Sequence, residues 1–143
     1  MHPLRRLREA GAASLAQYAA LLAEDVVFHS PVFVKAVEGR DNVAAIFAAS
    51  ASVRDGRYVA EHKLDDRTTF LHWQGTIDGH ELESLELIVD DDSGLIAERT
   101  IAYRPYPALK LFRDGGYKAF KDTIPDDMWD YPENLSHSAS GGV

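Results

Sequence analysis

The dipeptide Asp78-Gly79 stands between two long apolar segments and constrains the fold more than any other feature of the sequence. A two-residue type I′ turn requires positive φ at both central residues, and an Asp-Gly pair tolerates that conformation. Residues 67–77 and 80–89 are therefore predicted to form a hairpin. Because the turn fixes the pairing register, this dipeptide also determines which side chains share a face of the sheet.

Further turn signals divide the surrounding region into strands. Asp65-Asp66 and the loop DDDSG separate apolar segments in the same way as the Asp-Gly pair. The predicted strands are residues 57–64, 67–77, 80–89 and 95–105. Four strands in hairpin succession make an antiparallel meander.

The three turns predict which residues lie opposite one another. The expected pairs are His62 with Thr69, Tyr58 with Trp73, Trp73 with Ser84, Leu71 with Glu86, and Glu86 with Arg99. One face then collects Tyr58, Ala60, His62, Leu71, Trp73, Ser84, Glu86, Ile88, Arg99, Ile101 and Tyr103. The other face collects Val59, His72, Leu85, Leu87, Val89, Ile96 and Glu98. Both faces are apolar enough to need a cover, which predicts helices on one and a second subunit on the other.

Glu86 places a carboxylate in the middle of the apolar strand LESLELIV, and this has two interpretations. Opposite Arg99 it can form an exposed cross-strand ion pair that contributes roughly 0.2 to 1 kcal/mol. Alternatively it lies in the floor of a pocket, where desolvation raises its proton affinity and the guanidinium opposes that change. The sequence leaves both interpretations open.

Apolar residues at helical spacing mark the elements before the meander. Residues 4–23 predict two short helices separated at Gly11. Residues 26–33 predict a strand that is bent at Pro31, and residues 41–50 predict a third helix.

The length of the chain fits one domain, which is expected over residues 1–124. Its last element is a predicted helix, broken at Gly115-Gly116. Residues 125–143 form an acidic tail that is expected to be partly flexible. Residues 126–131 of the tail are acidic and aromatic, and one option is that they cover a pocket mouth of their own or a partner subunit.

The composition excludes several classes of function. With 23 acidic and 15 basic side chains, the net charge of -8 repels phosphates and anionic lipid, so neither nucleic acid nor a membrane is an expected partner. The chain has no cysteine, no histidine spacing typical of a metal site and no glycine-rich phosphate loop, so no metal and no cofactor are expected. No secretory signal follows the charged N-terminus, which predicts a cytoplasmic protein.

The segments LLAEDVVFHSPV, GRDNVAAIF and WQGTIDGHELESLELIVDDDSGLIAERTIAYRPYPALK resemble the SnoaL-like branch of the nuclear transport factor 2-like superfamily. The resemblance covers roughly residues 3–113. It implies a cone-shaped α+β fold, with a strongly curved antiparallel sheet wrapped around N-terminal helices and a deep pocket, and a homodimer through the sheet. The family includes ketosteroid isomerases, polyketide cyclases and dehydratases, but also binding and assembly modules, so the fold indicates a pocket rather than a reaction.

In comparison with ketosteroid isomerase, Ser30 stands in place of the general-base aspartate, and Glu86 stands near the protonated aspartate of the oxyanion hole. Serine cannot abstract the proton. The oxyanion-hole tyrosine maps near Arg6 or Leu7, whereas Tyr18 falls in the second helix. Steroid isomerase activity by that mechanism is therefore not expected.

Four residues are candidates for chemistry. His29, at the bend of the first strand, is the first candidate for a general base because an unperturbed imidazole titrates near neutral pH. His62 has similar standing and could share acid and base roles with Glu86. Arg99 would orient Glu86 or bind an acidic group of a ligand. The alternatives are a capping or exposed histidine and a purely structural ion pair.

The expected ligand contacts are Ser30, Tyr58, Leu71, Trp73, Ser84, Ile101 and Tyr103. The aromatic members would supply flat walls for a ring-containing ligand, although aromatic residues at alternate strand positions are also typical of plain core. The sequence therefore favours a pocketed, dimeric protein that binds a hydrophobic small molecule and catalyses proton transfer, such as isomerisation, cyclisation or dehydration. A non-catalytic ligand-binding or assembly module is the alternative.

Overall fold

A computed structural model describes residues 1–135 of the chain. Its elements are α1 (Pro3–Glu9), α2 (Leu15–Ala19), β1 (Leu22–His29), β2 (Val37–Glu38), α3 (Arg40–Val53), β3 (Asp55–Lys63), β4 (Thr68–Ile77), β5 (His80–Asp90), β6 (Ile96–Arg104), α4 (Tyr106–Phe120) and α5 (Asp126–Trp129). Residues 136–143, the end of the tail, lie outside the described residues. The prediction that the tail is flexible falls in part on these residues.

The strands form one sheet in the order β2-β1-β6-β5-β4-β3. The sheet is curved and does not close into a barrel, which confirms the predicted α+β class. The expectation of a wholly antiparallel sheet is wrong for one pair, because β1 runs parallel to β6 while the other neighbours are antiparallel. The meander is therefore extended at its β6 edge by β1, a strand that β2 and α3 separate from it in the chain.

Helices cover one face of the sheet, here called the inner face. Leu4 of α1, Tyr18 of α2 and Phe47 of α3 are fully buried in one core cluster with inner-face residues such as Leu71 and Ile88. The opposite, outer face leaves apolar side chains uncovered. Val59, Leu85 and Leu87 there are 40%, 44% and 42% exposed.

The β4–β5 hairpin has the predicted register. Ile77 pairs with His80, Trp73 with Ser84 and Leu71 with Glu86. The turn residue Asp78 has a φ of 49° and Gly79 a φ of 79°, as the type I′ turn requires.

The β3–β4 turn is one residue longer than predicted. The Asp65 carboxylate accepts hydrogen bonds from the backbone N–H groups of Arg67 and Thr68 at 2.9 and 2.8 Å, which stabilises a three-residue loop. His62 therefore pairs with Phe70 instead of Thr69. It is exposed and stacks on the Phe70 ring at the outer face, so the prediction that it shares a face of the sheet with Glu86 was wrong.

A bulge at Val59 compensates for the longer turn. The register shifts between Tyr58 and Ala60, so that Tyr58 still pairs with Trp73 as predicted. The longer turn and the bulge shift the register in opposite directions, so the two effects cancel at Tyr58. Ala60 and His62 lie between the bulge and the turn, where only the longer turn acts, and both are on the outer face.

The β5–β6 pairing differs from the prediction by two residues. Glu86 pairs with Ile101, and Arg99 pairs with Ile88. A shift by two residues preserves the face of every side chain, because successive side chains alternate. Glu86 and Arg99 therefore share the inner face as predicted, and they are diagonal neighbours rather than opposed ones.

The helix α4 runs through Gly115 and Gly116 without a break, so the predicted interruption was wrong. A glycine inside a helix is less favourable than alanine by roughly 1 kcal/mol. Packing of the helix against the rest of the protein can offset this cost. Within residues 1–135, no helix has the length and the apolar character needed to cross a membrane.

A pair of glycines allows the Trp73 ring to lie flat against the sheet. Gly56 and Gly75 are paired across β3 and β4. A Cβ atom at either position would come within 2.5 Å of the Trp73 ring. Only glycine leaves room for the indole at this end of the sheet.

Gly75→Ala is therefore expected to lower the free energy of unfolding by about 2 kcal/mol, because the added methyl group forces the indole or the β3 backbone to move. Chemical denaturation followed by circular dichroism measures the change. The matched control is Gly115→Ala, where a Cβ atom meets nothing within 4 Å. It should raise the free energy of unfolding by about 0.5 to 1 kcal/mol. Equal effects of the two substitutions would contradict the close-approach argument.

Candidate functional site

An apolar cavity, here called the first cavity, lies between the end of β1, α3, β6, α4 and α5. Its volume is about 150 Å³. The lining residues are Phe28, Ser30, Pro31, Val32, Phe33, Ile46, Ala49, Ser50, Ser52, Val53, Arg99, Ile101, Tyr103, Phe112, Gly116, Ala119, Phe120 and Trp129. Aromatic rings and small aliphatic side chains dominate this wall, as in sites for apolar ligands.

Arg99 is the only charged side chain among the described residues that line the first cavity. Its guanidinium carbon lies 4.6 Å from the centre of the Phe47 ring and 5.3 Å from that of Phe28. The Arg99 Nε has no hydrogen-bond partner within the described part of the chain. Arg99 is thus a charged residue of the cavity wall with one unused hydrogen-bond donor, the Nε–H group.

The remaining polar groups of the wall have partners inside the protein. The Ser30 hydroxyl accepts a hydrogen bond from the Val32 N–H at 3.2 Å. The Tyr103 hydroxyl accepts one from Arg54. Within residues 1–135, neither hydroxyl is a buried polar group without any partner, as the Arg99 Nε is.

Glu86 lies behind Arg99 and does not line the first cavity. The Nη2 of Arg99 donates to the Glu86 Oε2 at 2.7 Å. Glu86 is 1% exposed and Arg99 is 2% exposed, so the interpretation as an exposed ion pair was wrong. The second oxygen, Glu86 Oε1, has no partner among the described residues.

Three arginines surround this carboxylate. Burial alone would raise the pKa of Glu86, but the positive charges of Arg99, Arg8 and Arg54 outweigh burial and hold that pKa below its ordinary value. Burial likewise opposes the charge of Arg99, and Glu86 outweighs it and raises the pKa of Arg99. Both members of the pair are therefore ionised at neutral pH, and Glu86 cannot serve as a general acid there.

The tail of the same chain completes the cavity. Trp129 of α5 is 5% exposed. Its ring packs edge-on against Phe33 and Tyr117, with centroid distances of 4.8 and 5.3 Å. The Val34 N–H donates to the Met128 carbonyl at 2.8 Å, which attaches α5 to the segment after β1.

The structure separates the predicted site residues into three groups. Those that line the first cavity are Ser30, Arg99, Ile101 and Tyr103. Those that are buried on the inner face without lining it are Tyr58, Leu71, Trp73, Ser84 and Glu86. Those that lie away from it are His29 and His62.

His29 is turned toward β6 and solvent. Its Nε2 lies 2.8 Å from the Glu98 Oε2, and the two side chains are 43% and 50% exposed. Since Glu98 is on the face opposite to Arg99, His29 cannot reach the cavity in this arrangement. Within residues 1–135, no three potential metal-ligating side chains come together either.

Sequence reasoning missed the contribution of α4, whereas it gave covering of a pocket by residues 126–131, which include α5, as one option. Phe112, Gly116, Ala119 and Phe120 line the cavity from one side of α4. Their spacing of four, three and one residues is that of a helix face, and this pattern could have identified them once the helix was assumed to be continuous. The aromatic residues of the tail suggested that it docks, but the place where Trp129 packs depends on how the tail folds back, which no local pattern reveals.

Glu86→Gln is expected to lower the free energy of unfolding at neutral pH by about 3 kcal/mol, because it leaves buried guanidinium groups without a counterion. Glu83→Gln is the matched control on the same strand. Glu83 is partly exposed and contacts Arg104 at 3.3 Å, so its loss should be below about 1 kcal/mol. Denaturant titrations measure both changes, and similar small losses would contradict the buried-pair interpretation.

The same pair predicts the dependence of stability on pH. Because the pKa of Glu86 is lowered in the folded protein, its contribution is complete above the ordinary value of 4.5 and disappears as the pH falls through the lower folded value. The stability difference between the wild type and Glu86→Gln should therefore shrink as the pH is lowered below 4.5. A difference that is constant over this range would show that Glu86 is not the titrating group.

Comparisons with known proteins address the fold and the family. No protein-family model matches the sequence, and no curated protein matches it. Among solved structures, an uncharacterised protein from Silicibacter pomeroyi with a cystatin-like fold is 28% identical, with a TM-score of 0.77 over 86% of this chain and 89% of that one.

Two further solved structures extend the comparison. A steroid delta-isomerase from Pseudomonas aeruginosa is 26% identical, with a TM-score of 0.71 over 86% of this chain and 89% of that one. A SnoaL-like protein of unknown function from Burkholderia thailandensis is 14% identical, with a TM-score of 0.58 over 72% of this chain and 91% of that one. The fold of the chain is therefore that of nuclear transport factor 2-like proteins, and the solved structures that it resembles include SnoaL-like members.

Proposed function

We propose that the protein binds a small, largely apolar, ring-containing molecule in the first cavity, with Arg99 as the donor to an acceptor group of that molecule. The observation that carries the proposal is a cavity of about 150 Å³ whose wall is almost entirely apolar and includes Arg99, whose Nε has no hydrogen-bond partner among the described residues. Such a combination of apolar walls and one polar anchor is typical of sites for small organic ligands.

Arg99 is suited to a carbonyl or carboxylate oxygen. A guanidinium always carries its charge and only donates hydrogen bonds, so its partner must be an acceptor. Glu86 already neutralises it through the 2.7 Å contact, which favours a neutral ligand with a carbonyl group over a strongly charged one. Glu86 thus serves to hold Arg99 in place.

Proton transfer, as in isomerisation, cyclisation or dehydration, is the second candidate function. The 26% identity with a steroid delta-isomerase favours it. A carbonyl bound to Arg99 would be polarised, which lowers the barrier to loss of a neighbouring proton. However, the described residues that line the cavity include no carboxylate and no imidazole to accept that proton. Ligand binding without catalysis is therefore the function that we propose first.

The binding test uses the two tryptophans of the chain, Trp73 and Trp129. Trp129 lines the first cavity, whereas Trp73 does not. Indanone, which carries a carbonyl, and indane, its hydrocarbon counterpart, are the probes. Both should shift the indole N–H signal of Trp129 in NMR titrations and leave that of Trp73 unchanged. Indanone should bind about tenfold more tightly because Arg99 donates to it.

Two variants sharpen this test. Ala119→Trp fills the first cavity from the exposed face of α4 and should abolish binding of both probes. Arg99→Met, which leaves Glu86 beside the positive charges of Arg8 and Arg54, should remove only the preference for indanone. Binding of neither probe to the wild type, or unchanged binding to Ala119→Trp, would overturn the proposal.

We also propose that the protein forms a homodimer through the outer face of the sheet. The support is the exposure of Val59 on β3 and of Leu85 and Leu87 on β5, two strands of this face that flank β4. Several exposed apolar side chains on one face are typical of a contact surface. A second copy of the same face would bury them on both sides.

The double variant Leu85→Lys and Leu87→Lys is expected to be monomeric in analytical ultracentrifugation, because like charges would face one another across the interface. Leu64→Lys is the control. Leu64 is 60% exposed near the β3–β4 turn, so its substitution should leave the dimer intact. A wild-type protein that sediments as a monomer would exclude this interface.

A further inference from the structure

A second cavity of about 610 Å³ lies between the α1–α2 connection, the end of α3 and the start of β3. Its wall has one residue, Ser52, in common with that of the first cavity. The inner part of this wall is defined here by its buried groups, which belong to Arg8, Arg54, Tyr58 and Trp73. None of these four lines the first cavity, so the function proposed above leaves them without a role.

Two guanidinium groups form the inner wall of the second cavity. Arg54 is 9% exposed, and its guanidinium carbon lies 4.5 Å from the centre of the Trp73 ring. The guanidinium carbon of Arg8 lies 5.9 Å from the centre of the Tyr18 ring. Aromatic faces support both cations but do not neutralise them.

The interior around this cavity carries more positive than negative charge. Arg8, Arg54 and Arg99 all act on Glu86, which is the only buried carboxylate among the described residues. Burial, and after it the repulsion from Arg54, lowers the pKa of Arg8. Because one carboxylate cannot neutralise three guanidinium groups, this interior favours a further anion.

The carboxylates at the rim do not provide that anion. Glu9 lines the cavity, but its Oε1 accepts a hydrogen bond from the Arg5 Nε at 2.8 Å. Asp55 is exposed at the start of β3, and the exposed Arg57 lies on the same rim. At the rim, acidic and basic side chains therefore occur together and are exposed to water. At the inner wall, the positive charges of Arg8 and Arg54 are in excess.

Two buried donors at the inner wall have no acceptor. The Tyr58 hydroxyl belongs to a side chain that is 6% exposed, and it has no hydrogen-bond partner among the described residues. The Nε of Arg8 is also buried and without a partner in this part of the chain. Burial, and after it the charge of Glu86, raises the pKa of Tyr58, so its hydroxyl keeps its proton and can donate. Buried donors are almost always paired in folded proteins, so an acceptor is expected here.

We propose that the second cavity binds a small aromatic carboxylate. Its anionic group lies between Arg8 and Arg54 and accepts a hydrogen bond from the Tyr58 hydroxyl. Guanidinium groups match the planar geometry of a carboxylate. The Tyr18 ring and the alanines of the wall, such as Ala12 and Ala48, provide the apolar surface for the ring of the ligand. This apolar surface favours an organic carboxylate over inorganic phosphate, which stays hydrated on every side.

Benzoate is the probe for this site, and benzamide is its neutral counterpart of the same shape. In NMR titrations at constant ionic strength, benzoate should shift the indole N–H signal of Trp73 and leave that of Trp129 unchanged. Benzamide should bind at least about tenfold more weakly, because it lacks the charge that the two guanidinium groups stabilise. This pattern is the reverse of that expected for indanone, so the two cavities are tested independently.

Variants of the wall assign the benzoate signal to the second cavity. Arg8→Met and Arg54→Gln should each weaken benzoate binding by about tenfold or more. Arg57→Gln, at the exposed rim, should leave the affinity within about threefold of the wild type. Ala12→Trp changes an exposed residue that lines the second cavity and should block benzoate without affecting indanone. Ala119→Trp should do the opposite.

Several results would overturn the proposal. One is a Trp73 signal that does not respond to benzoate, and another is an equal response to benzamide. A third is unchanged benzoate binding in Ala12→Trp, which is informative even if the arginine variants fail to fold. A response to inorganic phosphate at affinity equal to that of benzoate would indicate a site for anions in general and would also contradict an organic carboxylate as the ligand.

Discussion

The contact between Glu86 and Arg99 is the interaction on which the rest of the structure depends. The two charged groups are fully buried on the inner face and joined at 2.7 Å. A slip of either strand by one residue would move one of them to the outer face and leave a buried charge alone, so the pair opposes a one-residue slip of β5 against β6. Phe47 and Phe28 pack against the same guanidinium and connect α3 and β1 to that register.

Local turn chemistry accounts for the parts of the fold that could be predicted. Asp78-Gly79 determined the β4–β5 register correctly because its backbone geometry allows only one short connection. Asp65-Asp66 resembles it, yet the Asp65 side chain binds two backbone N–H groups and lengthens the loop by one residue. The longer loop determines the face on which His62 lies, so the predicted face of His62 was wrong. Tyr58 lies beyond the bulge and was placed correctly.

The candidate site was only partly predictable because its wall combines distant segments. Arg99, Ile101 and Tyr103 follow from alternation along β6, and Ser30 from its position after β1. The α4 contribution requires a helix that continues through two glycines, against their intrinsic preference. The second cavity depends on where α1 places Arg8 relative to the end of α3, and such tertiary placement leaves no periodic trace in the sequence.

The docking of Trp129 has a consequence for the first cavity. The aromatic side chain belongs both to the wall of the cavity and to α5, which is attached through one backbone hydrogen bond and the exposed ion pair between Lys35 and Asp127 at 2.6 Å. Any occupant that contacts this indole must favour the attached state of α5 by the same free energy with which attachment favours the occupant. Occupancy of the first cavity and the equilibrium between attached and detached α5 are thus two measures of one thermodynamic coupling.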